Sequence, residues 1–91
     1  MAVLIRLPGS LKQWSNGNRV IEVEPGTVEL AIQSLCLKYP AVAERVLGDD
    51  GKPRRFVNVY VNGEDVRLLQ GTATALVDGD EVILAPAVAG G

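Results

Sequence analysis

The chain has 91 residues, 47% of them hydrophobic and 22% charged, with nine Lys and Arg against eleven Asp and Glu for a net charge of -2. A chain of this size buries roughly 60–65% of its unfolded surface, enough for one domain with a modest core; the apolar and charged fractions argue against disorder, and the lack of an evident basic face argues against a nucleic-acid partner. One cysteine excludes an internal disulfide and four-thiolate metal sites, and the lack of histidine removes the commonest general base and metal ligand, so His-based catalysis is excluded.

Met1 to Arg6 has no basic lead into a long apolar run, and no stretch reaches the roughly 20 apolar residues that span a bilayer. A soluble cytoplasmic protein with no membrane partner is expected. Val3 to Leu7 is apolar and β-branched, is ended by Pro8-Gly9, and predicts a strand. Ser10 to Asn18 holds Trp14 and the turn-forming Ser15-Asn16-Gly17-Asn18, with Trp14 either capping the core or lying in a mobile loop. Arg19 to Glu24 alternates and predicts a second strand that pairs back on the first.

After Pro25-Gly26, Thr27 is placed to cap a helix, and Glu29 sits in the first turn, where its charge suits the helix dipole. Val28, Ile32, Leu35 and Tyr39 make one helical face, and Pro40 closes a helix near Thr27 to Lys38. Cys36 lies beside that face, where a free thiol behaves as a small hydrophobe. Ala41 to Leu47 reads as a short helical or irregular turn with core contacts from Val42 and from Val46 or Leu47, and Gly48 to Pro53 as a surface loop.

Phe56 to Asn62 alternates with period two. Val57, Val59 and Val61 share the face expected toward the helix, while Phe56, Asn58 and Tyr60 share the other. Asn62-Gly63 predicts a tight turn into a short edge strand over Glu64 to Arg67, and Leu68 to Ala75 reads as irregular. Asp78-Gly79-Asp80 is a turn rather than a cation site, and it feeds a last strand, Glu81 to Ala85, ended by Pro86.

The order is β-β-α-β-(β)-β. It fits an α+β fold, a mixed sheet of four to five strands on one main helix, with the first and last strands side by side at the centre. That architecture is the β-grasp, the ubiquitin-like fold. The expected division is a body over 1–86 and a flexible tail over 87–91.

The tail is Ala87-Val88-Ala89-Gly90-Gly91, without charge. Extended, five residues reach about 17 Å, enough to deliver a terminal carboxylate into another protein's pocket. Glycines without Cβ can pass a narrow channel. A frayed Gly-containing tail is the bland alternative.

Body and tail together resemble the ubiquitin-like sulfur carriers of the ThiS and MoaD families over essentially the whole chain, and among them the CysO-type carriers of cysteine biosynthesis. The resemblance rests on Arg55-Phe56-Val57-Asn58-Val59-Tyr60-Val61-Asn62-Gly63-Glu64-Asp65-Val66-Arg67, on Leu76-Val77-Asp78-Gly79-Asp80-Glu81-Val82, and on Pro86-Ala87-Val88-Ala89-Gly90-Gly91. Ala85-Pro86 stands where many MoaD proteins have two prolines, which disfavours the small subunit of molybdopterin synthase.

A terminal carboxylate has a pKa near 3.5 and is a poor electrophile at neutral pH, so sulfur can enter only after an oxygen becomes a leaving group. No phosphate-cradling Gly-rich loop is present. The resemblance therefore implies that an external E1-like enzyme of the MoeB/ThiF type uses ATP to adenylate Gly91, after which sulfide equivalents give a thiocarboxylate. It further implies that the thiocarboxylate adds to an aminoacrylate on a pyridoxal-phosphate cysteine synthase, or serves another thio-product synthase, and that a metalloprotease releases the new cysteine. The chain is then a carrier and co-substrate with no catalytic residue, metal or resident cofactor of its own. Val88, Ala89 and Gly90 would thread the partner's channel.

An outward apolar cluster of Phe56, Tyr60 and Ile83 is the expected partner-docking face. Arg54, Arg55 and Arg67 read as solvated surface charge. A ubiquitin-like modifier, joined through Gly91 to lysines of target proteins, shares the activation chemistry with the carrier; the small subunit of molybdopterin synthase, whose Gly91 would insert into a larger catalytic partner, is a third reading.

Overall fold

The computed structural model describes residues 2–48 and 57–86. The first strand, β1 (Val3–Arg6), buries Val3 and Ile5 and turns Leu4 and Arg6 outward, as period-two alternation requires. The following segment is ordered where turn chemistry alone was expected: Gly9–Trp14 forms a 3-10 helix. Trp14 caps the core, with the Arg45 guanidinium carbon 3.5 Å from its ring centre. Strand β2 (Val20–Val23) then returns antiparallel to β1, with Ile5 opposite Ile21.

Two residues, Gly26–Thr27, form β3, and Thr27 is also the N-cap of helix α1 (Val28–Lys38). Its hydroxyl accepts from the Leu30 N–H at 3.2 Å, so the expected cap is in place. The helix buries Val28, Ala31, Ile32 and Leu35. Tyr39 is its C-cap and only half-buried, its hydroxyl accepting from the Asn18 amide at 3.1 Å.

Pro40 ends α1 and also opens α2 (Pro40–Val46), because a proline at the first helical position gives up only an N–H that would have no partner there. The sequence left this segment between helix and irregular turn, and it is a helix with Val42 and Val46 fully buried.

Strand β4 (Val57–Val61) puts Val59 and Val61 in the core and packs Val57 against it. Asn62 and Gly63 both take positive φ, 51° and 86°, which is the geometry of a two-residue hairpin turn and the reason an Asn-Gly pair sits there. The return strand β5 is shorter than expected, Glu64–Asp65, because the chain winds into a 3-10 turn at Val66–Leu68. A second such turn, Gly71–Ala73, leads to β6 (Ala75–Leu76), which pairs with β3 as a small separate ladder, and β7 (Glu81–Pro86) is the last of the described elements.

The main sheet has the order β2-β1-β7-β4-β5. Strand β7 lies between β1, parallel to it, and β4, antiparallel to it, so the first and last strands are neighbours as expected. The core between this sheet and the helices is aliphatic. Ile5, Leu35, Leu84, Val3 and Val82 are among its largest fully buried side chains, and burial of each contributes about 1.5–3 kcal/mol.

Candidate functional site: the open face of the sheet

The face of the sheet turned away from α1 is built by alternation. Buried Val82 and Leu84 leave Glu81, Ile83 and Ala85 outward on β7, and buried Val59 and Val61 leave Asn58 and Tyr60 outward on β4. Register sets these side chains in rows: Arg6 lies opposite Ile83, Ile83 opposite Tyr60, and Tyr60 opposite Asp65. Tyr60 and Ile83, two of the three residues expected to form a docking cluster, are therefore cross-strand neighbours, both half-buried. Phe56, Arg54, Arg55 and the tail residues Val88, Ala89, Gly90 and Gly91 lie outside the described residues.

Two ion pairs border this apolar centre. Arg6 Nε meets Glu81 Oε2 at 2.9 Å beside Leu4, which stands opposite Glu81. At the β5 end Arg67 grips Asp65 through its side chain, Nη2 to Oδ2 at 2.7 Å, and through its backbone N–H, which donates to Oδ1 at 2.8 Å. These Arg67 hydrogen bonds hold the Asp65 carboxyl below the usual carboxylate range. Exposed pairs of this kind add little to stability. Their effect here is to neutralise charge next to an apolar patch and to orient the guanidinium groups.

The Arg6–Glu81 pair and the outward placement of Leu4 and Ala85 escaped the sequence reading. Alternation along β1 and β7 carried the signal for the facing direction. The register that joins Arg6 to Glu81 depends on a parallel pairing of strands from the two ends of the chain.

The base of β7 is pinned by a polar cluster. Asp80 accepts from the Val77 N–H at 2.8 Å and from the Asn62 side-chain amide at 3.0 Å, and Asn62 Oδ1 accepts from the Glu81 N–H at 3.0 Å. The Val77 bond, then the Asn62 bond, pulls the Asp80 carboxyl below its usual range. Asp78 accepts from the Ala2 N–H at 2.7 Å, tying the chain start to the same turn. Asp78 is thus spent on a backbone amide, and Asp80 on one backbone and one side-chain amide, as the turn reading expects. The strand they anchor ends at Pro86, level with Val57 and three residues past Ile83.

Cys36 is half-buried against the core, and burial pushes its thiol up, away from the thiolate that nucleophilic chemistry requires. Among the described residues no helix is long and apolar enough to cross a membrane.

Comparison with known proteins bears directly on this geometry. The ThiS family model matches residues 5–91. Sulfur carrier protein CysO of Mycobacterium tuberculosis is 41% identical over 93 aligned positions that cover 100% of both chains. A chain of the Amycolatopsis orientalis BexX/CysO complex superposes with a TM-score of 0.88 at 36% identity, covering 99% of this chain and 100% of that one. The small archaeal modifier protein 1 of Haloferax volcanii superposes with a TM-score of 0.83 at 32% identity, covering 96% and 98% of the two chains. With this fold and these relatives, the chain belongs to the ThiS family and is a ubiquitin-like β-grasp protein homologous over its whole length to CysO-type sulfur carriers.

Proposed function

We propose that this protein is a sulfur carrier whose reactive group is the carboxylate of Gly91. In the activation step a carboxylate oxygen attacks the α-phosphorus of ATP on an E1-like enzyme of the MoeB/ThiF type, and pyrophosphate leaves. A sulfide equivalent then attacks the acyl carbon, the C–O bond breaks, AMP leaves, and a thiocarboxylate remains. That sulfur is handed to an acceptor enzyme making cysteine or another thio-metabolite, and ATP stays the partner's substrate. The observation that carries the reading is the full-length similarity to a sulfur carrier, which includes the Gly-Gly end. Supporting it, burial pushes the half-buried Cys36 thiol up, which makes it a poor candidate for a sulfur-bearing thiolate.

Docking is assigned to Tyr60 and Ile83 on the open sheet face together with Phe56, with Val88, Ala89 and Gly90 threading the partner. In the relative from A. orientalis the carrier is seen in a complex with BexX. The reading is tested by ATP–pyrophosphate exchange with a cognate activating enzyme: the full chain supports exchange and a chain lacking Gly90 and Gly91 does not. Exchange that survives the truncation rejects it.

A second reading, conjugation of Gly91 to lysines of target proteins, is favoured by the near full-length match to a small archaeal modifier. It predicts isopeptide-linked adducts in cells that carry the Gly91 carbonyl on a lysine Nζ.

A further inference from the structure

We propose that the free edge of β2 is a second binding site, separate from the open sheet face, and that it takes an extended peptide strand carrying basic residues at alternate positions. Strand β2 is outermost in the sheet, with β1 on one side. The Leu7 N–H donates to the Arg19 carbonyl at 2.7 Å, which makes Leu7 and Arg19 a hydrogen-bonded pair. Stepping by two through the register, Ile5 with Ile21 and Val3 with Val23 are bonded pairs as well. The backbone groups of Val20 and Glu22 therefore point away from β1, into the space where a further strand would lie. The opposite edge, β5, is only two residues long, so β2 is the longer open template.

Beside this edge runs an open groove of about 390 Å³ between β2 and α1, lined by Ala2, Glu22, Val23, Glu24, Ser34 and Lys38. The Lys38 ammonium donates to the outward Glu22 carbonyl at 3.3 Å across an exposed gap. An incoming strand's N–H can replace it at little cost, since the released ammonium returns to water.

The occupant's chemistry follows from what its side chains would meet. On the outer face they stand beside the exposed Val20 and Glu22, with Glu24 next along the chain. A residue directly across from Glu22 lies within about 4.5–5.5 Å, where opposite charges attract and like charges repel. Lysine or arginine is selected there, and β2 of a second copy, which would bring its own glutamates, is disfavoured. Intervening side chains fall on the groove side near Val23 and Ser34, where small apolar groups fit.

The test is an amide NMR titration of the full chain with a capped pentapeptide alternating arginine and valine. Its controls are the same peptide with glutamate for arginine and one with N-methylated central amides. We expect saturable shifts centred on Val20, Glu22 and Glu24, with binding weakened about tenfold or more in both controls, since a few cross-strand pairs and ladder bonds sum to that factor. The exposed change Glu22→Lys should reverse the preference toward the glutamate peptide. Equal binding of all three peptides overturns the proposal, as do shifts centred on Tyr60 and Ile83 or concentration-dependent self-association through β2.

Discussion

Tyr60 and Ile83 face each other directly across the β4–β7 ladder, on the side of the sheet that the helices leave open, with Ile83 three residues before Pro86, the last residue of β7. The pair is apolar and half-buried, and it is bordered by the Arg6–Glu81 and Arg67–Asp65 ion pairs. Because the core lies on the other face, a charge placed here should harm docking far more than folding. Ile83→Asp is expected to lower affinity for the activating enzyme by about 30-fold, the effect of losing a central apolar anchor, with the melting temperature nearly unchanged. Calorimetric titration together with a thermal melt checks both halves.

The Thr27 hydroxyl caps α1 through the Leu30 N–H. Thr27→Ala leaves that donor to water and should cost about 1 kcal/mol in urea unfolding, with the slope of the transition unchanged. Thr27→Ser, which keeps the oxygen, should recover most of the loss.

Leu35 is fully buried on the inner face of α1. Leu35→Ala should cost about 2–5 kcal/mol, the range for removing a core leucine without full collapse of the site. In a domain of this size that leaves little stability in reserve, and chemical denaturation measures it directly.

Asp80 titrates below its usual range because the Val77 N–H and the Asn62 amide bond its charged form. A carboxyl depressed on folding contributes stability that is present above its unfolded pKa, about 3.9, and is lost as pH falls through the folded value. Stability should therefore drop as the protein is acidified below about pH 4. Asn62→Ala removes one of the two donors, so the Asp80 carboxyl should titrate closer to the ordinary aspartate value, and carbon-detected NMR of that carboxyl follows the change.

Legibility in the sequence tracked the length of each pattern. Helix α1 declared itself through Thr27, the Val28–Ile32–Leu35 spacing and Pro40, β2 and β4 through alternation, β1 through an apolar β-branched run ended by Pro8-Gly9, and β7 through the Asp78-Gly79-Asp80 turn before it and Pro86 at its end. The two-residue strands β3 and β6 left no trace because period two cannot be recognised in Gly26–Thr27 or Ala75–Leu76, which pair only because α1 and the Thr74 carbonyl place them, Val28 N–H donating to that carbonyl at 3.0 Å. Helix α2 was ambiguous because it is a single short stretch whose proline reads equally as a stop and a start. In the site, parity predicted that Tyr60 and Ile83 face outward, and the Asn62-Gly63 turn was plain. The bond from Asn62 to Asp80 was not, since it joins residues from two separate turns that only the closed sheet brings within reach.

The central claim is that Gly91 carries the sulfur. Its most direct test is mass spectrometry of the intact chain and its C-terminal peptide after incubation with ATP, a sulfide source and a MoeB-type activating enzyme. Alkylation by a thiol-reactive reagent separates a thiocarboxylate from oxidation of Met1 or Cys36. A sulfur carrier activated at Gly91 should show an ATP-dependent exchange of oxygen for sulfur, mapped to Gly91 and alkylated there. A chain that its cognate activator neither adenylates nor converts at Gly91 would contradict it.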